Sequence, residues 1–347
     1  MKQSDLWDIV VVGAGPAGSC VAEPAARRGA KVLILENKST IGIPVQCAEH
    51  IPKLLAGEVS FDKRCIAQEV KSLRLNFPSG KIEEISAPGY VLDRCLFDRE
   101  LAMDAINSGA ELHLKTRAIS YSKGKLQIQT SNRRKEIEGK IFVGADGPLS
   151  IIGQSLGRVH QRFVKAAQAE VVLKENSTTA EIFFDQKFYG GYAWLFPKGK
   201  RANAGLGMET TSNKTLFLTL KEFLSKLEES NRIYLYSKLS VTFGLIPVSG
   251  YLDTVQENVL LVGDAAGQTN PLTGAGIASA ILCGKMAGEA AVEAIISNSF
   301  SVLKEYESNW QKLFKNHLDK ALKKREELLA HWHSSDFEKY LRHAWLE

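Results

Sequence analysis

A glycine-rich turn near the N-terminus carries the clearest chemistry in the sequence. Residues 8–36 place an apolar run before Gly13, Gly15 and Gly18, then a helical run, a second apolar run and Glu36. In this G-x-G-x-x-G spacing the first glycine allows a tight turn, the second lets the backbone approach a pyrophosphate, and the third lets helix and strand pack closely. The helix N-terminus supplies free N–H groups for the phosphates. The block predicts a dinucleotide site in which Glu36 accepts a hydrogen bond from an adenosine ribose.

Two aspartates follow later apolar runs in a similar way. "KIFVGADG" ends in Asp146 and Gly147, and "NVLLVGDAAG" carries Asp264 into a glycine-rich turn, with a helix beginning near residues 274–276. Taken alone, Asp264 fits a helix N-cap. Because it stands between an apolar strand and the "PLTGAG" turn, the preferred interpretation is an aspartate that binds a sugar-like chain.

The stretch "GYAWLFPKG" places Tyr192, Trp194 and Phe196 at alternate positions before Pro197. Alternate residues of a strand point to one face, so the three rings predict a continuous apolar wall. A wall of this kind is typical of a sheet that packs on an ordinary core. The same wall could also line a tunnel for an apolar ligand. The motifs on either side of it help to decide between an ordinary core and a tunnel.

The composition is that of a globular protein of more than one domain. The 347 residues are 44% hydrophobic and 24% charged, with a net charge of +5 and no basic, aromatic-interleaved patch of the kind that binds nucleic acid. The chain opens directly into a strand, so we expect no signal peptide. Residues 275–296 contain three charges and read as a buried helix rather than a membrane span. Five cysteines without metal-type spacing predict a reduced, cytoplasmic protein with no metal site.

The elements around these motifs predict an α/β (α+β) fold with a Rossmann-like nucleotide domain interleaved with a β-rich substrate domain. Strand-to-turn junctions at 12–13, 143–147 and 262–264 indicate that the nucleotide domain is discontinuous. Turn residues at 78–80 and 88–89 predict short separate strands in the β-rich part. The predicted segments are 1–72, 93–155 and 255–298 for the nucleotide domain, 73–92 and 156–254 for the β-rich domain, and 299–347 for a C-terminal helical segment.

Two helices leave questions open at this stage. Pro24 stands inside the first predicted helix, where proline removes a hydrogen bond and should produce a kink. The C-terminal segment spaces large apolar residues at partly helical intervals, which fits either packing on the domain, the preferred interpretation, or contact with a membrane. These residues are Leu303, Trp310, Leu313, Phe314 and Leu318.

The motifs together resemble those of a known group of flavoproteins. "GAGPAG…LE", "GADG" and "VGDAAGQTNPLTGAGI" are similar to the three FAD signatures of the p-hydroxybenzoate-hydroxylase-type flavoproteins. Within that group, "IGIPVQCAEHI", "GYVLDRCLFDREL" and "GYAWLFPKG" resemble the geranylgeranyl reductase family. The chain departs from the family pattern at Tyr189, where a proline is usual, and at Ala48 and His50, where glycines are usual.

The resemblance implies FAD as the cofactor and a site made of residues from several segments. Arg94 would reach the FAD from the sheet side, Ala118 would touch the adenine through its backbone, Asp264 would bind the ribityl chain, and the turn at 274–277 would face the flavin edge where negative charge collects. The implied cofactor residues are Gly13, Gly15, Ala17, Gly18, Glu36, Cys47, Ala48, Arg94, Ala118, Asp146, Gly147, Asp264, Gly274, Gly276 and Ile277.

The activity implied is FAD-dependent saturation of C=C bonds in geranylgeranyl chains of membrane lipids or their precursors. An isolated alkene needs an acid partner for hydride addition, and Cys47 is the preferred candidate, with an ordered water or His50 as alternatives. Tyr192, Trp194, Phe196 and Pro197, with His50, would then contact the prenyl chain in a tunnel.

Two other functions remain open on the same motifs: an FAD-dependent monooxygenase or halogenase, and a non-catalytic isoprenoid-binding flavoprotein. The partners expected for the reductase are an isoprenoid lipid, an external electron donor such as NAD(P)H or ferredoxin, and a transiently contacted membrane surface, with no nucleic acid. We expect the protein in the cytoplasm, with peripheral attachment to the membrane as an option.

Overall fold

A computed structural model describes residues 6–57, 61–131, 133–234 and 238–347 of the chain. The helices are α1 (Pro16–Arg27), α2 (Lys53–Gly57), α3 (Arg94–Asn107), α4 (Ile151–Ser155), α5 (Asn213–Glu229), α6 (Ile277–Ile296), α7 (Leu303–Trp310), α8 (Asn316–Ala330) and α9 (Phe337–Leu346).

The strands fall into two sheets. They are β1 (Trp7–Val12), β2 (Val32–Leu35), β3 (His50–Pro52), β4 (Ile66–Asn76), β5 (Ile82–Leu92), β6 (Glu111–His113), β7 (Arg117–Ser122), β8 (Lys125–Gln129), β9 (Arg134–Gly144), β10 (Phe163–Leu173), β11 (Thr179–Phe183), β12 (Tyr192–Lys198), β13 (Arg201–Met208), β14 (Ile233–Tyr234), β15 (Ser240–Pro247), β16 (Val255–Gln256) and β17 (Val259–Leu261).

The first sheet holds the predicted nucleotide unit. Its order is β16-β17-β9-β1-β2-β6, and the five strands from β17 to β6 are mutually parallel. The other half of β9 pairs antiparallel with β8, which pairs with β7. Strands β1 and β2 are almost wholly apolar because layers cover both faces of the sheet. The α/β fold class is confirmed.

Helices α1 and α6 pack closely on this sheet, and their contact explains Pro24. A Cβ atom added at Gly288 of α6 would lie 2.2 Å from the carbonyl oxygen of Val21 and 2.7 Å from Cγ of Pro24. The absent side chain at Gly288 therefore makes room for the proline ring. Helix α1 continues through Pro24 to Arg27, and the Arg28 N–H still reaches the Pro24 carbonyl oxygen at 3.3 Å.

The second sheet is the β-rich part. Its order is β14-β10-β13-β12-β11-β4-β5-β3, with β15 also paired to β10, and only the β11–β4 pair is parallel. On one face, apolar side chains of β10, β12 and β13 pack with α5. On the other face, α8 and α9 pack with Trp194 and Phe196. The sheet is therefore covered by helices from two different parts of the chain.

Two sequence predictions about the β-rich part require correction. The turn predicted at Pro88–Gly89 lies inside β5, which runs without a break from Ile82 to Leu92. The β4–β5 register shifts here, because Ala87 and Pro88 of β5 lie opposite Lys71 alone in β4, and this bulge accommodates a proline that has no N–H to donate. The domain boundary at residue 72 falls within β4, which pairs with β5 on both sides of it.

The C-terminal segment packs against both sheets. Leu303, Trp310 and Leu318 are buried in the cluster around α1 and α6, whereas Leu313 is exposed. A π-helical turn, Gln311–Lys315, joins α7 to α8, and α9 then packs on the second sheet. Packing on the domain, the preferred interpretation of this segment, is confirmed for these buried residues. Among the described residues, no helix combines the length and apolar character needed to cross a bilayer.

Candidate functional site

A cavity of about 460 Å³ lies between the two sheets and is lined by residues of both. Gly15, Gly147 and Asp264 reach it from loops of the first sheet. Trp194 and Phe196 reach it from β12 of the second sheet. The cavity therefore joins the predicted nucleotide site to the predicted aromatic wall.

The three glycines of the first turn have distinct surroundings. A Cβ atom at Gly13, where φ is +101°, would lie 2.3 Å from the Ala145 carbonyl oxygen, and one at Gly18 would lie 1.9 Å from the Gly13 carbonyl oxygen. At Gly15 the same atom would meet nothing within 4 Å. Two glycines thus permit close backbone packing, and the third leaves open space beside the N-terminus of α1, as pyrophosphate binding requires.

Glu36 lies directly after β2, beside this turn. One carboxylate oxygen accepts the Ala14 N–H at 2.9 Å, and the other accepts the Lys38 N–H at 2.8 Å. These bonds fix the carboxylate at the edge of the turn while leaving each oxygen a further lone pair. The predicted hydrogen bond from a ribose hydroxyl would use that remaining capacity.

Asp264 is directed toward the cavity and is not the N-cap of the following helix. It lies in a 3₁₀ turn, Gly263–Ala266, and accepts a hydrogen bond from the hydroxyl of Thr269. Helix α6 starts later, after Gly276, without a side-chain cap. Burial raises the pKa of Asp264, and the Thr269 hydrogen bond opposes that shift. Its position suits a hydroxyl-rich ligand, which can donate to the carboxylate.

The loop between Asp264 and α6 is held from three directions. The Tyr192 hydroxyl donates to the Thr273 carbonyl oxygen at 2.5 Å. The Arg325 guanidinium donates to the Pro271 carbonyl oxygen at 3.1 Å. The Asn270 side-chain oxygen accepts from the N–H groups of Leu272 and Thr273, each at 3.0 Å. The predicted cofactor residues Gly274, Gly276 and Ile277 line the cavity at the end of this braced loop.

Asp146 and Ala118 do not line the cavity. Asp146 accepts the Ser150 hydroxyl at 2.5 Å and the Ile151 N–H at 2.7 Å, so its carboxylate is used at the start of α4. Burial raises the pKa of Asp146, and these hydrogen bonds oppose the shift. Ala118 pairs with Ile128 in the β7–β8 ladder. The Asp146 carboxylate therefore has a structural role at the start of α4, its assignment to the cofactor site stays a prediction, and its neighbour Gly147 does line the cavity.

The aromatic wall is present as predicted. The ring centroids of Tyr192 and Trp194 are 5.9 Å apart, those of Trp194 and Phe196 are 6.4 Å apart, and all three side chains line the cavity. Leu195 packs toward α5 on the opposite face. Pro197 shares that opposite face and lines a separate pocket, so its assignment to the substrate site is wrong, because strand alternation turns it away.

Cys47 also lines the cavity and is linked to Trp194 through Gln168. Its sulfur accepts the Glu49 N–H at 3.3 Å, and its carbonyl oxygen accepts the Gln168 side-chain amide at 3.0 Å. The Gln168 oxygen in turn accepts the Trp194 indole N–H at 3.0 Å. Burial raises the pKa of the Cys47 thiol, with Arg94 opposing the shift. The group is therefore a protonated thiol at neutral pH.

His50 and Arg94 also line the cavity, and they differ in charge. Burial lowers the pKa of His50 to about 4, its Nε2 has no hydrogen-bond partner among the described residues, and its ring packs 5.3 Å from that of Phe196. The Arg94 guanidinium donates to both carboxylate oxygens of Asp98, at 2.7 and 3.0 Å. Burial disfavours the charge on Arg94, but Asp98 outweighs it, and the net shift raises the pKa of Arg94.

Sequence reasoning missed a buried polar group beside Cys47. Glu49, with a left-handed φ of +70°, accepts the Arg94 N–H at 2.9 Å, the Lys198 ammonium at 2.8 Å and the Asn203 amide at 2.7 Å. Glu49 and Lys198 are both buried. The two residues are 149 positions apart in the chain, and neither belongs to a periodic pattern. The sequence therefore gives no sign that they form an ion pair.

Trp345 is the second missed residue. It lies in α9, lines the cavity, and packs edge-on against Tyr192 with ring centroids 5.0 Å apart. The Trp345 ring also packs against Phe184, with ring centroids 5.1 Å apart. The end of the chain therefore contributes to the aromatic wall that the sequence placed on β12 alone.

Comparisons with known proteins identify the family of the chain. Residues 163–241 match the geranylgeranyl reductase catalytic domain, and residues 8–42 match the FAD dependent oxidoreductase family. A digeranylgeranylglycerophospholipid reductase of Methanopyrus kandleri is 41% identical over 329 residues, which cover 89% of this chain and 87% of that protein. The chain belongs to the geranylgeranyl reductase family. As a member of this family it is an FAD-dependent oxidoreductase.

Further relatives support the family assignment. A digeranylgeranylglycerophospholipid reductase of Methanocaldococcus jannaschii is 35% identical, with 93% of this chain and 87% of that protein covered. A crystal structure of a geranylgeranyl bacteriochlorophyll reductase-like protein from Thermoplasma acidophilum is 28% identical with a TM-score of 0.82, covering 99% of this chain and 97% of that chain. A flavin-dependent brominase, 15% identical with a TM-score of 0.73 over 97% of this chain and 94% of that chain, shares the fold alone.

Proposed function

We propose that this family member saturates C=C bonds in the geranylgeranyl chains of a glycerophospholipid or its precursor. The observation that carries the proposal is the aromatic wall of Tyr192, Trp194 and Phe196 in the same cavity as the dinucleotide-type turn. A prenyl chain has no hydrogen-bonding group, so burial of its surface against apolar side chains provides its binding free energy. The names of the relatives, which specify digeranylgeranylglycerophospholipid, support this class of substrate.

The residues present fit FAD. Open space at Gly15 suits a pyrophosphate, the Glu36 carboxylate beside that turn would accept a ribose hydroxyl, and the Asp264 carboxylate in the cavity would accept the hydroxyls of the ribityl chain. Gly274 and Gly276 expose the backbone at the start of α6. When bound and reduced, FAD supplies the hydride that one alkene carbon receives. The proposed external donor that reduces it belongs to the NAD(P)H or ferredoxin class.

Cys47 is the residue proposed to supply the proton to the other alkene carbon. Its raised pKa keeps the proton on the sulfur until the substrate requires it. The resulting thiolate would lie near the Arg94 guanidinium and accept the Glu49 N–H, two contacts that favour the charged form. The link from Trp194 through Gln168 to the Cys47 carbonyl oxygen keeps the thiol beside the aromatic wall.

The experiment that tests the function is anaerobic. The FAD-loaded protein is reduced with dithionite and given digeranylgeranylglycerol phospholipid while flavin absorbance and lipid mass are recorded. We expect flavin reoxidation together with a mass gain of two hydrogen atoms per saturated bond. A flavin that stays reduced until air is admitted, followed by a hydroxylated or halogenated product, would contradict the proposal and favour oxygen chemistry. Tight lipid binding with no reoxidation and no product would indicate a carrier.

The role of Cys47 has its own prediction. Cys47→Ala should lower anaerobic turnover by roughly 10²-fold or more, the usual contribution of a general acid, while the FAD content stays that of the wild type. Single-turnover flavin reoxidation with lipid measures the effect. Cys95→Ala, which removes a cysteine that does not line the cavity, is the control. Full turnover in the Cys47→Ala protein would show that another group or a water delivers the proton.

A further inference from the structure

An exposed apolar surface adjoins the cavity at the edge of the second sheet. Phe217 and Leu218 of α5 are exposed, as are Leu239 and Val241 at the start of β15. The ring centroid of Phe217 lies 6.5 Å from that of Phe243. Because Leu239, Val241 and Phe243 stand at alternate positions, they share one face of the strand. The contact between Phe217 and Phe243 joins the exposed side chains of α5 to those of the β15 segment, and we name these five residues the α5–β15 patch.

The patch is continuous with the cavity wall. Phe243 belongs to the patch and also lines the cavity. Its carbonyl oxygen accepts the Gln46 side-chain amide at 2.7 Å, next to Cys47 in the chain. Among the described strands, β15 pairs with β10 and with no other strand. A surface held against the patch would therefore lie one strand away from the candidate site.

Two lysines place positive charge within the patch. Lys214 and Lys221 stand three or four residues from Phe217 and Leu218, so the four side chains share one stripe of α5. Both lysines are exposed, and neither forms an ion pair with a described residue. On the same helix, Lys226 by contrast has a carboxylate within 3.9 Å. Within the part of the chain that the structure describes, the ammonium groups of Lys214 and Lys221 therefore have no carboxylate within ion-pair distance.

The alternation of apolar side chains with unpaired lysines selects one kind of partner. An interfacial helix inserts its rings and aliphatic chains at the level of the acyl groups and holds lysines among anionic headgroups. A second copy of the chain, joined patch to patch about a two-fold axis, would instead bring the lysines of the two copies together, and like charges oppose that arrangement.

We infer that the α5–β15 patch docks the protein on an anionic lipid surface, so that the cavity wall formed by β15 lies against the lipid. The inference goes beyond the proposed function, because it concerns binding to a surface and requires no turnover. It also places the membrane contact on α5 and β15 rather than on the C-terminal helices, because the large apolar side chains of those helices are mostly buried.

The experiment is vesicle co-sedimentation of the FAD-loaded protein. Vesicles of phosphatidylglycerol and phosphatidylcholine are compared with vesicles of phosphatidylcholine alone. The test variant is Lys214→Gln/Leu218→Ser/Lys221→Gln. The control, Lys312→Gln/Leu313→Ser/Lys320→Gln, makes the same three replacements on the C-terminal helices, and the exposures of Leu218 and Leu313 are matched at 52% and 54%. Both variants lose the same charge and the same apolar side chain.

We expect the wild type to bind the anionic vesicles and to lose binding in high salt. Each lysine removed should weaken partitioning about fivefold, so the test variant should bind at least roughly 25-fold more weakly, with the control within about twofold of the wild type. Equal losses in both variants, or none in either, would overturn the inference. So would a dimer in sedimentation velocity that the test variant abolishes while no protein binds vesicles.

The result is separable from that of the proposed function. Anaerobic turnover of detergent-solubilised lipid by the test variant should equal that of the wild type, because none of the three replaced residues lines the cavity. A variant that reduces solubilised lipid normally but fails on vesicles supports the docking surface. An enzyme that reduces neither form, while the wild type still binds vesicles through the patch, leaves the docking surface intact and contradicts only the reductase.

Discussion

At the scale of single residues, the site combines groups whose charge states are controlled by burial. Cys47 keeps its proton and His50 is neutral, whereas Arg94 keeps its charge through Asp98. These states suit an apolar substrate, because the neutral groups face the aromatic wall and the cation is neutralised by its neighbour. The proposed chemistry therefore creates little charge in the cavity beyond the charge that neighbouring groups already neutralise.

His50 predicts a specific dependence of stability on pH. Its folded pKa of about 4 lies below its ordinary value of 6.5, so between these values the unfolded chain binds a proton that the folded chain does not. The free energy of unfolding should therefore fall as pH falls from 6.5 to 4, by at most roughly 3 kcal/mol from this residue. Urea unfolding at several pH values measures it.

The comparison for this prediction is His50→Phe, which keeps a ring beside Phe196 and cannot titrate. The variant should show a smaller loss of stability over the same pH range than the wild type. Identical pH profiles for the two proteins would show that folding does not shift the pKa of His50, contrary to its buried position.

Glu49 predicts a large effect on stability. Glu49→Gln removes the charge that Lys198 and Asn203 contact, and leaves the Lys198 ammonium buried without its carboxylate. We expect the free energy of unfolding to fall by roughly 3–5 kcal/mol, as for other broken buried ion pairs. Denaturant unfolding provides the measurement.

The matched control is Glu83→Gln, at an ion pair with Lys81 and Arg342 on the surface. Surface pairs contribute about 1 kcal/mol or less, so the control should differ little from the wild type. A loss for Glu49→Gln as small as that of the control would mean that water reaches Lys198 and solvates it.

At the scale of elements, helix α9 completes the aromatic wall. Trp345 packs between Tyr192 and Phe184, and its side chain occupies space at the cavity boundary. Helix α8 acts on the other side, where Arg325 donates to the Pro271 carbonyl oxygen of the loop before α6. The C-terminal helices therefore shape the substrate region and brace the cofactor loop, although neither carries a recognisable motif.

Trp345→Ala predicts a change in preference for chain length. The replacement enlarges the apolar cavity, so the ratio of kcat/KM for a lipid with longer prenyl chains over the geranylgeranyl lipid should rise roughly tenfold. The anaerobic assay with both lipids measures this ratio. Tyr340→Ala removes a ring from the same helix that stacks on His331 outside the cavity, and should leave the ratio unchanged. Equal changes in both variants would show that α9 acts only through stability.

At the scale of the whole molecule, the cavity and the C-terminal segment join the two sheets. Cavity residues come from loops of the first sheet and strands of the second, and α7 and α9 pack on different clusters. FAD bound in the cavity would contact residues of both sheets. Because the C-terminal segment packs on both sheets, neither sheet can unfold without losing contacts to it, and we expect a single unfolding transition.

FAD should stabilise this joined structure by mass action. At a free FAD concentration one hundred times Kd, the free energy of unfolding should rise by about 2.7 kcal/mol, and a single transition should move to higher Tm. Calorimetry across FAD concentrations tests both points. FMN, which lacks the adenosine expected at Glu36, is the control and should stabilise less. Two separate transitions, of which FAD shifts only one, would contradict joint unfolding.

The features that depend on local spacing can be predicted from the amino-acid sequence. The turn at Gly13–Gly18, the carboxylate after β2 and the alternation of Tyr192, Trp194 and Phe196 each follow from positions a few residues apart, which a short segment of backbone places without help from the rest of the chain. The same rule of alternation, applied one residue further, would have removed Pro197 from the substrate site.

Contacts between residues that are distant in the chain become evident in the folded structure. Glu49 and Lys198 pair across 149 residues, and Trp345 reaches Tyr192 from the end of the chain. Such contacts depend on how sheets and helices pack, and packing leaves no period in the sequence. For the same reason, the sequence does not show that Asp146 binds the start of α4. Nor does it show that Pro24 packs against Gly288, where there is no side chain.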